Sequence, residues 1–339
     1  MNKRFYFLLT LSIIFLFISI LTGLVVGSSD ISPLEALNIL IGQVFNLKGD
    51  MLPSHAIIIM NIRLPRVILA CIVGAGLSTV GLTYQAVFRN PLADPYIIGV
   101  SSGAAFGASV AIAFSFAGGL WSIGITNVFA FAGALAVSFV ALAISRVNGR
   151  VPVNTLLLSG VALGNLLTAG MSLIMFFDHN DMQQIVYWTM GSFVSASWDK
   201  VIFCLTFTAA GIVLLMFHTW ELNLMQFGDE TAYGLGVDVE RLKRKLVIIS
   251  SLVTAACVSV SGIIGFVGLV VPHVMRMISG YDNRRLFILS LIGGAGFMCI
   301  TDTISRCILS PVEIPVGIIT ALMGGPFFIY LLKRNKGMV

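Results

Sequence analysis

Residues 5–27 contain no charged side chain. Comparable apolar runs follow at about 64–84, 96–116, 121–144, 154–177, 199–219, 246–264, 266–279, 286–308 and 314–332. An α-helix needs about 20 apolar residues to cross the hydrocarbon core of a bilayer. Inside lipid the backbone must satisfy its own hydrogen bonds, which leaves helices or closed barrels. A barrel would show short alternating segments instead of unbroken apolar runs. The sequence therefore predicts an all-α membrane protein, a polytopic bundle of about ten transmembrane helices forming a single domain over residues 1–339. Only 10% of the residues are charged, against roughly 25% in soluble domains. The net charge of +5 is scattered over helix ends, so it reads as a topology signal and predicts no nucleic-acid partner. Lys3 and Arg4 precede a first run that is too long for a signal-peptide core and lacks a small-residue cleavage site, so it is expected to be a retained span.

Ten crossings put both termini on one side. If that side is the cytoplasm, fifteen of the 20 lysines and arginines are cytoplasmic; Lys48, Arg63, Arg66, Lys200 and Arg306 are the outer five. This matches the positive-inside rule. Within the pair of runs near 246–279, Gly262, Gly265 and Gly268 interrupt the pattern. Small residues recur at four-residue spacing (Gly99, Gly103, Gly107; Gly160, Gly164; Gly317, Ala321, Gly325), a spacing that lets helices approach closely in lipid. Two outer stretches, 32–45 and 182–193, are amphipathic and are expected to lie along the interface. A faint inverted repeat relates the two halves, with "RNPLADP" and "VPHVMR" as Pro-containing turns ahead of glycine-rich spans.

Much familiar chemistry is missing. The chain has no G-x-x-x-x-G-K-[ST] loop, so ATP is not expected to bind in the usual phosphate cradle. "GVSSG" (99–103) matches a nucleophile-elbow pattern, but that motif requires a strand–turn–helix setting, which a membrane helix does not provide. The five cysteines lie in apolar runs without metal spacing and read as small buried residues. Of the acids, only Asp302 falls within a span. It lies four residues before Arg306, where one helix face can pair them. Ion-coupled carriers keep ionisable groups near the bilayer centre, so an ion-coupled secondary transporter of a small polar substrate is the alternative reading, resting on Asp302.

Two polar features stand out. The stretch "FGDETAYGLGVDVERLKRK" (227–245) holds four acids and four bases. It reads as a short helix stopped at Gly234 or Gly236, then a second short helix capped by Asp238 with its bases toward the C-terminus. Such a rigid charged knob suits a soluble cytoplasmic partner. On the outer side, "NIRLPR" (61–66) places two arginines against the charge rule, and Arg306 joins them. This cationic rim suits acidic groups on a docking protein, since guanidinium pairs bidentately with carboxylate.

The segment "IRLPRVILACIVGAGLSTVGLTYQAVFRNPLADPYIIGVSSGAAFGA" resembles the signature of the permease subunits of iron-siderophore, haem and cobalamin ABC importers, the type II importer fold. "GDETAYGLGV", "GIIGFVGLVVPHVMR", "DTISR" and "EIPVGIITALMGGPFFIYLL" continue the likeness, which runs from about 55 to 332; the first 55 residues match only in general character. The resemblance implies a homodimer with the path between its copies, two cytoplasmic ATPase subunits and one extracytoplasmic binding protein, in a bacterial or archaeal cell membrane. It implies no cofactor in this chain, with ATP and Mg bound by the partner subunits. It assigns ATPase coupling to the loop at about 221–245, with Gly228, Asp229, Ala232, Leu235, Gly236, Asp238 and Arg241 on or beside the matching motif. Binding-protein docking falls to Arg63, Arg66 and Arg306, and a cytoplasmic gate to Val153, Asn154 and Thr155. A ferric siderophore is the first expected cargo, with haem and cobalamin next.

Overall fold

The computed structural model describes residues 3–27, 31–45, 53–114, 122–147, 149–179 and 181–335. In chain order the helices are α1 (Lys3–Val25), α2 (Pro33–Phe45) and α3 (Pro53–Ile57), which runs through a π-helical turn (Ile58–Arg63) into α4 (Leu64–Val87). Then come α5 (Val100–Ala113), α6 (Ser122–Ile144), α7 (Val153–Phe177), α8 (Met182–Thr189), α9 (Trp198–Phe217) and α10 (Thr219–Met225). The last five are α11 (Asp229–Gly234), α12 (Val239–Ser261), α13 (Val267–Ser279), α14 (Asn283–Cys307) and α15 (Val316–Asn335). A helix lies in each of the ten predicted runs. Among the described residues seven segments have the length and apolarity to cross a bilayer: α1, α3 through α4, α6, α7, α9, α12 and α14. The apolar stretches of α5, α13 and α15 are shorter.

α4 is the hub. Every residue from Val73 to Val87 is buried, as expected of a helix that is apolar on all sides, and it packs against α9, α12, α13 and α14. Its serine and threonine hydroxyls are satisfied locally or across an interface: Thr79 Oγ1 donates to Ala75 O at 2.9 Å, Thr83 Oγ1 to Thr79 O at 2.8 Å, and Ser78 Oγ to Ser290 O of α14 at 2.7 Å. The predicted small-residue spacing is used as contact. A Cβ on Gly103 would meet the carbonyl of Gly133 in α6 at 2.5 Å. Gly325 is an exception: it faces open space, and its neighbour Gly324 takes the contact, against the ring of Phe266.

α5 and α13 span only about 20 Å at 1.5 Å per residue, and each begins from non-helical backbone. The two beginnings meet. Tyr96, in the segment before α5, donates its hydroxyl to Ile264 O at 3.0 Å and accepts from Ile264 N at 3.3 Å, in the turn between α12 and α13. Irregular backbone is tolerated in such a bundle when protein buries it and pairs it, and Tyr96 does so here. The expected turn at "VPHVMR" is corrected: Pro272 lies inside α13. Proline cannot donate to the carbonyl four residues back. That carbonyl, on Gly268, instead accepts from Gln85 Nε2 of α4 at 3.4 Å, so the helix continues through the proline.

Candidate functional site

The polar stretch folds as α11, a turn and the start of α12. Gly228 (φ +112°) and Gly236 (φ +89°) bracket α11, conformations that cost an L side chain energy. Asp229 begins α11, where the helix dipole favours an acid. Asp238 caps α12 by accepting from Arg241 N at 3.1 Å. Ala232 is fully buried beneath the turn. One expectation is corrected. The second short helix is not separate: "VERLKRK" forms the first two turns of the 23-residue α12. Its bases therefore sit near a helix N-terminus, where the dipole disfavours them, and carboxylates compensate. Lys243, 7% exposed at its side chain, lies 2.5 Å from Asp229 and 3.7 Å from Glu240. Asp229 also binds Arg89, just past the end of α4, at 2.7 Å, and Arg241 pairs with Asp238 at 3.4 Å.

The continuity of α12 has a mechanical consequence. A push on α11 or its turn reaches the bundle interior along one uninterrupted helix. The outward side of this region is apolar: Phe227, Tyr233 and Leu235 are 73%, 75% and 58% exposed. Sequence reading took Leu235 from the motif and passed over Phe227 and Tyr233, although two aromatics in a charged loop were a legible signal of a docking surface.

The three arginines expected at the outer rim are brought together, but below the surface. Arg63, Arg66 and Arg306 are 4%, 6% and 8% exposed. Arg66 grips two acids: Nη2 lies 2.8 Å from Asp302 Oδ1 and Nη1 2.8 Å from Glu313 Oε2. Asp302 pairs with Arg306 at 3.3 Å, as the four-residue spacing predicts. Arg63 donates to the carbonyls of Leu24 and Val25 at 2.8 and 2.7 Å, and Arg306 to that of Gly23 at 3.0 Å, so both cap the C-terminal end of α1. Among the described residues Asp302 and Glu313 are the acids paired in this cluster, and the three arginines line a cavity of about 300 Å³ with Ser310 and Pro311. Asp302 is thus an ion-paired anchor of α14, and Glu313 is a partner that the sequence reading did not identify. Asp94, in the segment before α5, accepts from Tyr96 N at 2.9 Å. Burial pushes its carboxyl up to about 6, and that amide pulls the other way.

Val153, Asn154 and Thr155 form the first turn of α7, after Pro152 at its N-cap. Most of α7 faces away from the rest of the chain. Asn154, Asn165, Thr168 and Ser172 are all exposed. At 3.6 residues per turn they fall within one sector of about 60°. Thr168 and Ser172 donate their hydroxyls to Gly164 O and Thr168 O of the same helix at 2.8 and 2.9 Å, so it is the exposed amides of Asn154 and Asn165 that would be unfavourable against lipid. The stripe was legible as a period of 3.6 but lay hidden among more numerous apolar residues.

Comparison with known proteins fits this arrangement. A cobalamin import system permease of Halobacterium salinarum is 45% identical over 280 residues, covering 83% of this chain and 74% of the relative. A hemin transport system permease of Yersinia pestis is 40% identical over 279 residues, covering 82% and 83%. The fold is similar to that of a solved metal-chelate type ABC transporter in an inward-facing conformation, with a TM-score of 0.81 and 33% identity over 96% of this chain and 98% of that one. The FecCD transport family profile matches residues 14–334. The chain belongs to the FecCD transport family of ABC transporter permeases, transport subunits that rely on a partner ATPase for ATP.

Proposed function

We propose that this chain is one of two identical permease subunits of an importer that carries a metal chelate into the cytoplasm by alternating access. The exposed amides of Asn154 and Asn165 on the polar stripe of α7 carry the reading: a second copy and a hydrated path along the shared axis would give them partners, whereas lipid would not. In this reading ten helices cross the bilayer, with both termini in the prokaryotic cytoplasm. Two ATPase subunits receive α11 and the turn with Gly228, Asp229, Ala232, Leu235, Gly236, Asp238 and Arg241. The extracytoplasmic binding protein meets the cavity floored by Arg63, Arg66 and Arg306, whose guanidinium groups suit an incoming carboxylate. Val153, Asn154 and Thr155 close the cytoplasmic end of the path. A ferric siderophore is the first choice of cargo and haem or cobalamin the next. A permease that held its cargo tightly would release it slowly, so specificity is assigned to the binding protein.

Gentle extraction of the tagged chain followed by native mass spectrometry should give two copies with two ATPase subunits. A cysteine at Asn165 should cross-link the two copies, and one at Leu214, on the exposed side of α9, should not. Recovery of this chain alone, under conditions that keep other ABC complexes whole, would overturn the reading in favour of a secondary carrier.

The coupling assignment makes its own prediction. Asp238→Ala should cost about 1 kcal/mol by losing the cap, and Gly236→Val roughly 1–2 kcal/mol by placing a side chain in the left-handed region. Both variants should fold, and both should separate ATP hydrolysis from uptake in proteoliposomes. Wild-type uptake per ATP in both would remove the turn from the coupling path.

A further inference from the structure

The charged groups of the α11 region do not end there. Glu240, in the first turn of α12, accepts a hydrogen bond on Oε2 from the backbone N–H of Val151 at 2.8 Å. Val151 is buried and lies two residues before α7 begins. The other carboxylate oxygen of Glu240 faces Lys243, which reaches Asp229 of α11, and Asp229 holds Arg89 beyond α4. Four elements are therefore joined: the end of α4, α11, the start of α12 and the connection that leads into α7. Only the last step reaches the polar helix, and it is a single charge-assisted bond from one side chain to one backbone amide.

We infer that Glu240 is the positioning residue that transmits movement of α11 and α12 to the first turn of α7. The inference rests on the transport reading above and adds the link between its two ends. The geometry gives the physical reason. Pro152 at the N-cap has no N–H of its own, so the Val151 amide is the nearest backbone donor ahead of α7. A carboxylate accepting from the N–H of Val151 fixes this connection to α12 directly. Hydrogen bonds to charged acceptors are stronger than neutral ones. The bond lies at the edge of the buried network, so a shift of α12 can carry the connection with it without exposing Lys243.

The test uses the assembled permease–ATPase complex in nanodiscs, with Cys71 and Cys307 replaced by serine and a spin label at Asn154→Cys. Pulsed electron paramagnetic resonance reads the distance between the two copies, without nucleotide and after trapping with ATP and vanadate. The wild-type distance distribution should shift on trapping. Glu240→Ala should still hydrolyse ATP, while the shifted population falls about tenfold, as expected for loss of one hydrogen bond to a charged group. Glu240→Gln keeps an acceptor for Val151 and should retain most of the shift. If Glu240→Ala does not assemble, Val151→Pro removes the same bond by deleting the donor and should show the same loss. A full shift in Glu240→Ala or in Val151→Pro would overturn the inference, as would a loss in Glu240→Gln equal to that in Glu240→Ala. An assembled wild-type complex that hydrolyses ATP with no shift at all would overturn the gate assignment and the link together.

Discussion

Asp302→Ala will destabilise the extracted protein by about 3–5 kcal/mol, the range seen when one partner of a buried ion pair is removed. Asp302 is 1% exposed and pairs with Arg66 and Arg306 at once. Without it Arg66 keeps Glu313 alone and Arg306 loses its ion pair. The arginines also hold the end of α1, so the loss should be felt at three helices. Arg66→Lys should fail as well, because one ammonium cannot reproduce the bonds that the guanidinium makes to both Asp302 and Glu313. Asp302→Asn should be milder, since the amide keeps an acceptor. Equilibrium unfolding in mixed micelles ranks the three variants. The same variants address the ion-coupled alternative. If Asp302 carried a coupling proton, Asp302→Asn would end uptake in correctly folded protein. As a structural anchor it should leave uptake per folded complex close to wild type. Asp94→Asn extends the test to the other acid with a perturbed environment, and a folded, inactive variant at either site would revive the carrier reading.

The second large effect is expected at Gly81. A Cβ there would occupy the space of the Gly268 carbonyl, with the Gly268 Cα 2.6 Å away. Gly268 is itself held between Pro95 and Leu77, whose carbonyl oxygen lies 2.6 Å from where its own Cβ would be. Relief would require the backbone of α13 to move, since no flexible side chain is there to yield. Overpacking usually costs 1–3 kcal/mol, and occasionally more; with backbone on both sides, Gly81→Ala should reach about 3 kcal/mol or above and lower the yield of monodisperse protein. Gly325→Ala is the matched control, because a Cβ there meets nothing within 4 Å. Equal behaviour of the two variants in detergent melting curves would mean that α4 and α13 are not held as closely as described.

The apolar runs located the helices because the cost of an unpaired backbone in lipid leaves a chain few alternatives. The pairing of Asp302 with Arg306 was legible for an equally local reason, the four-residue repeat of one helix face. The cap at Asp238 and the turn at Gly236 were also local. The second partner of Asp302 was not: Arg66 lies 236 residues away in sequence, and nothing in the spacing points to it. The sequence placed the three arginines at the outer rim, whereas tertiary packing places their guanidinium groups under the end of α1.

What the sequence determined alone was the ten apolar helices, the cap at Asp238 and the position of the polar stretch, because these depend on neighbours within a few residues. Only the tertiary structure decided that "VERLKRK" continues into the bundle, that Tyr96 joins the two short helices, that α7 presents a polar stripe outward, and that Glu240 reaches the backbone before it. Each of these depends on which surfaces meet once α4 is surrounded. Such contacts are chosen by close packing of many small residues, and no short stretch of the chain encodes them.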